Sequence, residues 1–313
     1  MKRRLVAVVC AVLMTGCSTG SPSDAPSPSG SGGSSSSTLA AGQDFVVGGD
    51  RPVTVHVPRS FDPGRPAPLL IVLHGYGSSG REHEAYFRLR DAAERRGMIT
   101  AYPDGTTDST GSQYWNATDA CCGFDQSGVD DSGYLLGVVA AIKAHGAVDP
   151  QRIFLIGHSN GGFMTYRMAC DHAEVVAAII SLAAATFAHD ADCHPSEEVS
   201  VVEIHATADK VIAFSGGSIS GAAAYPGALE TVKTWARYDG CGPAGSKSPK
   251  RVDVDADLSV AGDRSEATIE TWSGCGHGAV VELWTMPGGV HAPTISTAFP
   301  DAALDFLLAH PKP

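Results

Sequence analysis

The run from Arg152 to Gly162, RIFLIGHSNGG, limits what this chain can fold into more than any other stretch. Ile153, Phe154, Leu155 and Ile156 are four successive apolar residues, as expected of a strand covered on both faces, and Phe163 to Ala169 reads as helix. Between them Ser159 sits at the centre of Gly157-His158-Ser159-Asn160-Gly161. A turn this sharp from strand into helix needs residues without side chains two positions either side of the serine. The hydroxyl then stands alone above the sheet, with the next N–H, that of Asn160, facing whatever it attacks. This is the pattern of a nucleophile elbow.

The rest of the chain supplies a matching framework. Leu69 to Leu73 is a continuous apolar run, Ile99 to Tyr102, Ala178 to Leu182 and Val199 to His205 read as further strands, and helices are expected at Glu82 to Arg96, Tyr134 to His145, Leu229 to Tyr238 and Ala298 to Ala309. Val252 to Val254, Thr268 to Trp272 and Val280 to Trp284 complete the strands, while Val53, Val55 and Val57 alternate with polar residues as on a half-exposed antiparallel edge. Asp149-Pro150 reads as a turn into the elbow strand, and Pro103 to Val129 as a long loop too rich in turn residues to be core. Such alternation implies an α/β fold, a mostly parallel central sheet with helices on both faces, whose ligands bind at the strands' carboxyl ends.

The first forty residues stand outside that framework. Lys2, Arg3 and Arg4 precede an apolar run, Leu5 to Met14, too short to span a bilayer and shaped like an export signal. Leu13-Met14-Thr15-Gly16-Cys17 resembles a bacterial lipobox, with cleavage after Gly16 and lipid on Cys17, although Met14 departs from the usual Leu or Val. An ordinary secretory signal with Cys17 unmodified is the alternative. From Ser18 to Ser37, 17 of 20 residues are Gly, Ser or Pro, which cannot bury enough apolar surface to offset ordering entropy. The expected organisation is a signal at 1–16, a disordered tether at 17–42 holding the domain within about 25 Å of its anchor, and one catalytic domain at 43–313. It places the protein outside the cytoplasm, on the cell surface or released, and in contact with a membrane only through the anchor.

Without Lys2, Arg3 and Arg4 the chain keeps 19 basic against 34 acidic residues, a net of −15. Nucleic acid would be repelled. Nothing suggests more than a monomer. Six cysteines beyond Cys10 and Cys17 are expected to form disulfides in an exported domain. The favoured pairing joins Cys241 to Cys275 and divides Cys121 and Cys122 between Cys170 and Cys193. Their spacings are not those of a zinc site, and no metal or cofactor is called for.

A serine hydroxyl attacks poorly at neutral pH without a base to take its proton and a carboxylate to orient that base. In α/β-hydrolases these follow in the order Ser, Asp or Glu, His, each at a strand end. Asp209 is the first acid after the strand ending at His205, and His291 follows the strand Val280 to Trp284 through Pro287-Gly288-Gly289-Val290. His310, at the end of the last helix, is the rival base. Asp253, Asp255, Asp257 and Asp263 are rival acids in a stretch that looks solvated. The backbone N–H groups of Tyr76, in the Gly-rich loop His74 to Gly80, and of Asn160 are expected to form an oxyanion hole, with His74 bracing that loop. Trp115 is a candidate for stacking on substrate, with burial in the core as its alternative, and Asp130 or Asp131 is expected to cap the following helix.

Taken in order, Tyr102-Pro103-Asp104-Gly105, Trp115-Asn116, Cys121-Cys122, Val129-Asp130-Asp131, the elbow, His205-Ala206-Thr207-Ala208-Asp209, Gly240-Cys241 and Gly289-Val290-His291-Ala292-Pro293 resemble the polyhydroxybutyrate depolymerase-like esterases, a group that includes secreted feruloyl and acetylxylan esterases. The likeness runs over residues 45–310. It implies an extracellular carboxylic-ester hydrolase acting through an acyl-enzyme, with Ser159, Asp209 and His291 as its triad. Two positions depart from the family pattern. Ala206 stands where Gly is frequent, and Ala292 where an aromatic often precedes the proline, which widens the range of substrates to consider. A lipase or peptidase of the same fold, and a tethered binding lipoprotein with an inactive site, are the competing readings.

Overall fold

The computed structural model describes residues 39–124, 128–258 and 265–313. The expected signal, Cys17 and most of the expected tether lie outside them. Packing begins earlier than the boundary expected at residue 43: Leu39 is buried, its N–H donating to the carbonyl of His145 at 2.9 Å. Among the described residues no helix is long and apolar enough to cross a membrane.

The elements run β1 (Phe45–Val47), β2 (Val53–His56), β3 (Ala67–Leu73), α1 (Gly80–Phe87), α2 (Leu89–Arg95), β4 (Ile99–Ala101), β5 (Thr106–Thr107), β6 (Gln113–Tyr114) and α3 (Asp131–His145). There follow β7 (Val148–His158), α4 (Asn160–Asp171), β8 (Ala178–Leu182), β9 (Ser200–Ala206), β10 (Gly216–Ser218), β11 (Ala224–Pro226) and α5 (Ala228–Tyr238). The chain closes with β12 (Ser246–Val252), β13 (Ala267–Trp272), β14 (Val281–Met286) and α6 (Phe299–Ala309).

Among the described residues, ten strands make one sheet in the order β1-β2-β4-β3-β7-β8-β9-β14-β13-β12. The inner six, β4 to β14, are parallel, and the two strands at each edge are antiparallel. Register aligns Ile71, Leu155, Ile179, Val201 and Val281 in one row. All five are buried. Because side chains alternate along a strand, Leu69, Ile71 and Leu73 enter a core layer with Leu135, Val139 and Ile142 of α3, Phe163 of α4 and Trp235 of α5. Leu70 and Val72 enter the opposite layer with Phe87, Leu89, Phe299 and Leu304. The sheet is therefore covered on both faces, and its central carboxyl ends open at one rim.

Several expectations need correction. The helix expected over 82–96 is two helices, broken at Arg88 with φ 55°. Phe87 and Leu89 are both fully buried. Two residues apart on an unbroken helix they would point to opposite sides, and the break turns both into the core. Asp149-Pro150 is not a turn but lies within β7. β12 stops where a strand was expected to start, because the N–H groups of Val254 and Asp255 donate instead to the Glu266 carboxylate at 3.0 and 2.8 Å. Asp255 is consequently buried rather than solvated, Asp257 is exposed, and Asp263 lies outside the described residues. The segment 103–129 is not peripheral: it forms the β5–β6 hairpin and sends Tyr114, Trp115, Ala117, Ala120, Cys121 and Cys122 into the core.

Cys241 is joined to Cys275, and Cys170 to Cys193 with Cα atoms 5.5 Å apart. Cys121 and Cys122 do not separate to those partners but are joined to each other. The reason is distance. Cys121 lies at the start of α4, 3.5 Å from the Asn160 amide, whereas Cys170 is ten residues on, about 15 Å along the helix.

Candidate active site

Ser159 occupies the one-residue hinge between β7 and α4 with φ 54° and ψ −121°, a conformation costly for a residue with a side chain. The flanking glycines make it attainable. A Cβ at Gly157 would come within 2.2 Å of the Gly161 carbonyl oxygen, and one at Gly161 within 2.3 Å of that of Leu73. The Ser159 N–H donates to the Leu182 carbonyl at 2.8 Å, tying the elbow to β8.

The structure brings the other two expected side chains to this hydroxyl. His291 Nε2 lies 2.9 Å from Ser159 Oγ, and His291 Nδ1 lies 2.8 Å from Asp209 Oδ2. Nδ1 beside a carboxylate carries its hydrogen and donates, which leaves Nε2 free to accept the serine proton. The second Asp209 oxygen accepts from the N–H groups of Val211 and Ile212 at 2.8 and 2.9 Å. Burial alone would raise the Asp209 pKa, but the hydrogen bond and charge of His291, with those two amides, outweigh it and hold the carboxyl below the ordinary range. The loops after β9 and β14 are themselves joined: Ala208 N–H donates to the Gly289 carbonyl at 3.1 Å, and Gly288 N–H to Thr207 Oγ1 at 2.8 Å.

Behind Asp209 lies a pair that the sequence reading did not single out. Glu203 and His205, both fully buried on β9, meet at 2.9 Å, and His205 Nε2 donates to the Ile212 carbonyl at 2.8 Å. Burial disfavours the charged imidazole, yet the Glu203 carboxylate prevails and raises the His205 pKa. His205 Nε2 stands 3.7 Å from Asp209 Oδ2. Two polar residues two positions apart in an apolar strand, Glu203 and His205, were the available signal.

Among the described residues, neither the Tyr76 N–H nor the Asn160 N–H has a hydrogen-bond acceptor. Both are free to meet a developing oxyanion. The Tyr76 side chain is turned away, its hydroxyl donating to Asp108 and its ring packed on Phe124. His74 fixes the loop: its Nε2 accepts from Gly105 N–H at 2.9 Å, and its carbonyl accepts from Trp115 Nε1 at 3.0 Å.

Trp115 is fully buried, so it cannot stack on a ligand. Its place is structural. The Asn160 side chain clasps its backbone, Oδ1 accepting from Trp115 N–H at 2.7 Å and Nδ2 donating to the Trp115 carbonyl at 2.8 Å. A cleft of about 730 Å³ opens instead alongside Cys121, lined by Asn116, Thr118, Phe124, Ser220 and Ala222. Asp130 caps α3 by accepting from Gly133 N–H at 2.8 Å, while Asp131 pairs with Arg51 at 2.6 Å. His310 donates to the Phe306 carbonyl at 2.7 Å and takes no part in the site.

A parallel sheet carrying a strained serine between strand and helix, with a histidine and an aspartate delivered from later strand ends, defines an α/β-hydrolase. Within that class the sequence is similar to feruloyl esterases. It is 29% identical to feruloyl esterase B of Piromyces equi over 249 residues, covering 77% of this chain and 42% of that protein. It is 23% identical to the bifunctional acetylxylan esterase/xylanase XynS20E of Neocallimastix patriciarum over 248 residues, 79% of this chain and 32% of that one. The chain thus spans less than half the length of these two curated relatives. Residues 83–210 match the model of the prolyl oligopeptidase family. Among solved structures, an acetyl xylan esterase from Aspergillus awamori shares the fold, with a TM-score of 0.59 and 15% identity over 85% of this chain and 98% of that one.

Proposed function

We propose that this protein is a serine carboxylic-ester hydrolase working outside the cytoplasm, with Ser159 as nucleophile, His291 as general base and then acid, and Asp209 as the carboxylate that orients the imidazole. The observation that carries this reading is the unbroken hydrogen-bonded line from Ser159 Oγ through His291 to Asp209. As Oγ attacks the ester carbonyl, its proton passes to Nε2, and the N–H groups of Tyr76 and Asn160 receive the oxyanion. Collapse of the tetrahedral intermediate breaks the bond to the alcohol oxygen, which takes the proton from Nε2. Water then repeats the sequence on the acyl-enzyme, giving up a proton to His291 and releasing the free acid.

For the substrate, similarity to feruloyl and acetylxylan esterases supports a hydroxycinnamoyl or acetyl ester of a plant polysaccharide. The motif resemblance to polyhydroxybutyrate depolymerase-like esterases adds short hydroxyacid esters. The leader and the Gly/Ser/Pro-rich tether support export, with lipidation at Cys17 holding the domain near a membrane.

The test is a panel of aryl acetates, feruloylated sugars, acetylxylan, polyhydroxybutyrate film, peptides and long-chain triglycerides, run on wild type and Ser159→Ala. Peptides belong there because of the family matched over 83–210. Turnover of the first four classes is expected in some combination, with a loss on the order of 10⁶ in kcat in the variant. Turnover of peptides or long-chain lipids alone, or a Ser159→Ala enzyme that keeps its rate, would refute the proposal.

A further inference from the structure

The elbow brings a second histidine, His158, directly before the nucleophile, and the triad does not use it. Its ring is buried, and Nε2 lies 2.9 Å from the backbone carbonyl oxygen of His291. A carbonyl only accepts, so His158 Nε2 carries the hydrogen and Nδ1 is bare. Nδ1 in turn faces Nε2 of His83, from α1, at 3.4 Å, and the two rings stack with centroids 5.6 Å apart.

The His83 tautomer is fixed just as firmly. Its Nε2 accepts from Gly75 N–H at 3.2 Å, so its hydrogen is on Nδ1, which points at Ser78 Oγ 3.1 Å away. Ser78 Oγ passes its own hydrogen to Glu82 at 2.8 Å. With both imidazoles neutral every donor here has an acceptor, and the two bare nitrogens face each other, so the rings are joined by stacking and not by a hydrogen bond. Burial first, and the neighbouring imidazoles second, lower the pKa of His83 to about 3 and of His158 to about 4. Both rings therefore stay neutral wherever the enzyme would work.

We propose that His158 and His83 are a positioning pair that fixes the two loops flanking Ser159. One end holds the main chain of the base, at the His291 carbonyl. The other holds the Gly75 N–H and so sets the peptide plane preceding the Tyr76 N–H. The pair touches no reacting atom. It acts by keeping His291 Nε2 and the oxyanion donor at fixed places relative to the hydroxyl between them, where a displacement of about 1 Å can cost on the order of 10² in rate. This rests on the proposed serine-esterase reading, since it assigns a role within that site.

The experiment compares wild type, His158→Leu and His158→Gln for aryl-acetate turnover and for the rate of fluorophosphonate labelling of Ser159, with circular dichroism to establish folding. Leucine fills the space without a donor; glutamine offers an amide N–H able to reach the His291 carbonyl. Expected is a 10- to 100-fold fall in kcat and in labelling rate for His158→Leu, with KM within about twofold of wild type, and recovery of most of the loss in His158→Gln. Wild-type kcat in His158→Leu, an effect confined to KM, or equal impairment of the leucine and glutamine variants would overturn the pair's role. If His158→Leu does not fold, His158→Asn replaces it, being one bond too short to reach the carbonyl; asparagine and glutamine behaving alike would overturn the role equally. A wild-type protein that neither labels nor turns over ester would instead refute the esterase reading itself.

Discussion

Replacing Asn160 separates the work of its side chain from that of its backbone. In the wild type the carboxamide satisfies both the N–H and the carbonyl of Trp115, at 2.7 and 2.8 Å, in a fully buried setting. Asn160→Ala strands the Trp115 N–H where water has no access, while the Trp115 carbonyl keeps the Cys122 N–H, which donates to it at 3.4 Å. An unsatisfied buried group costs about 1–3 kcal/mol, so the variant should lose about 2 kcal/mol. At about 2–4 °C per kcal/mol for a domain near this size, the melting temperature should fall by about 4–8 °C. The N–H of residue 160 survives, so kcat measured well below the transition should drop by no more than about 10², far less than in Ser159→Ala. Asn160→Asp sharpens the test. One oxygen can still accept from Trp115 N–H, but the other then faces the Trp115 carbonyl and can only donate to it when protonated. Burial and that bond both favour the neutral acid, so its folded pKa is raised and its deficit relative to wild type grows as pH rises above about 4. Thermal unfolding followed by circular dichroism at several pH values reads this directly. An Asn160→Ala protein within about 0.5 kcal/mol of wild type, or an Asn160→Asp deficit that ignores pH, would refute the reasoning.

Two further outcomes are expected. Asp239 is buried at the end of α5, with Oδ1 accepting from Val199 N–H at 3.2 Å and Oδ2 without a partner among the described residues; burial pushes its carboxyl up to about 8. Between about pH 4 and 8 the unfolded chain ionises this group while the fold keeps it protonated, so stability falls as pH rises; Asp239→Asn should raise the melting temperature more near pH 7.5 than near pH 5, and an equal shift at both would contradict the account. Paired serine replacement should cost about 3.4 kcal/mol at Cys170 and Cys193, which close 23 residues, about 3.8 kcal/mol at Cys241 and Cys275, which close 34, and far less at the adjacent Cys121 and Cys122; denaturant unfolding in which the adjacent pair costs as much as either of the others would count against this ranking.

What could be read from the chain beforehand follows from where the physical constraint is local. Gly157 and Gly161 are required by contacts within a few residues or with the adjacent strand, so the elbow announces itself, and the inner strands show as apolar runs because both of their faces are covered. The order Ser159, Asp209, His291 is a property of topology that a linear sequence preserves. Other features depend on partners far along the chain. Nothing around Trp115 signals that Asn160, 45 residues on, will clasp its backbone and hold a glycine- and threonine-rich loop in the core. The pairing of Cys170 with Cys193 depends on which end of α4 each cysteine reaches. Arg88 breaks a helix only because Phe87 and Leu89 must both face inward.

The link between the loops after β9 and β14 has a consequence for how the molecule comes into being. Asp209 follows β9 at once, but His291 can reach it only after β12 and β13 have been made and β14 has docked alongside β9. A polypeptide still emerging from synthesis, or one clipped before its last strand, already displays Ser159 yet has nothing to draw off its proton. If the proposed triad is the catalytic one, hydrolytic competence depends on the docking of β14 and arrives only late in folding.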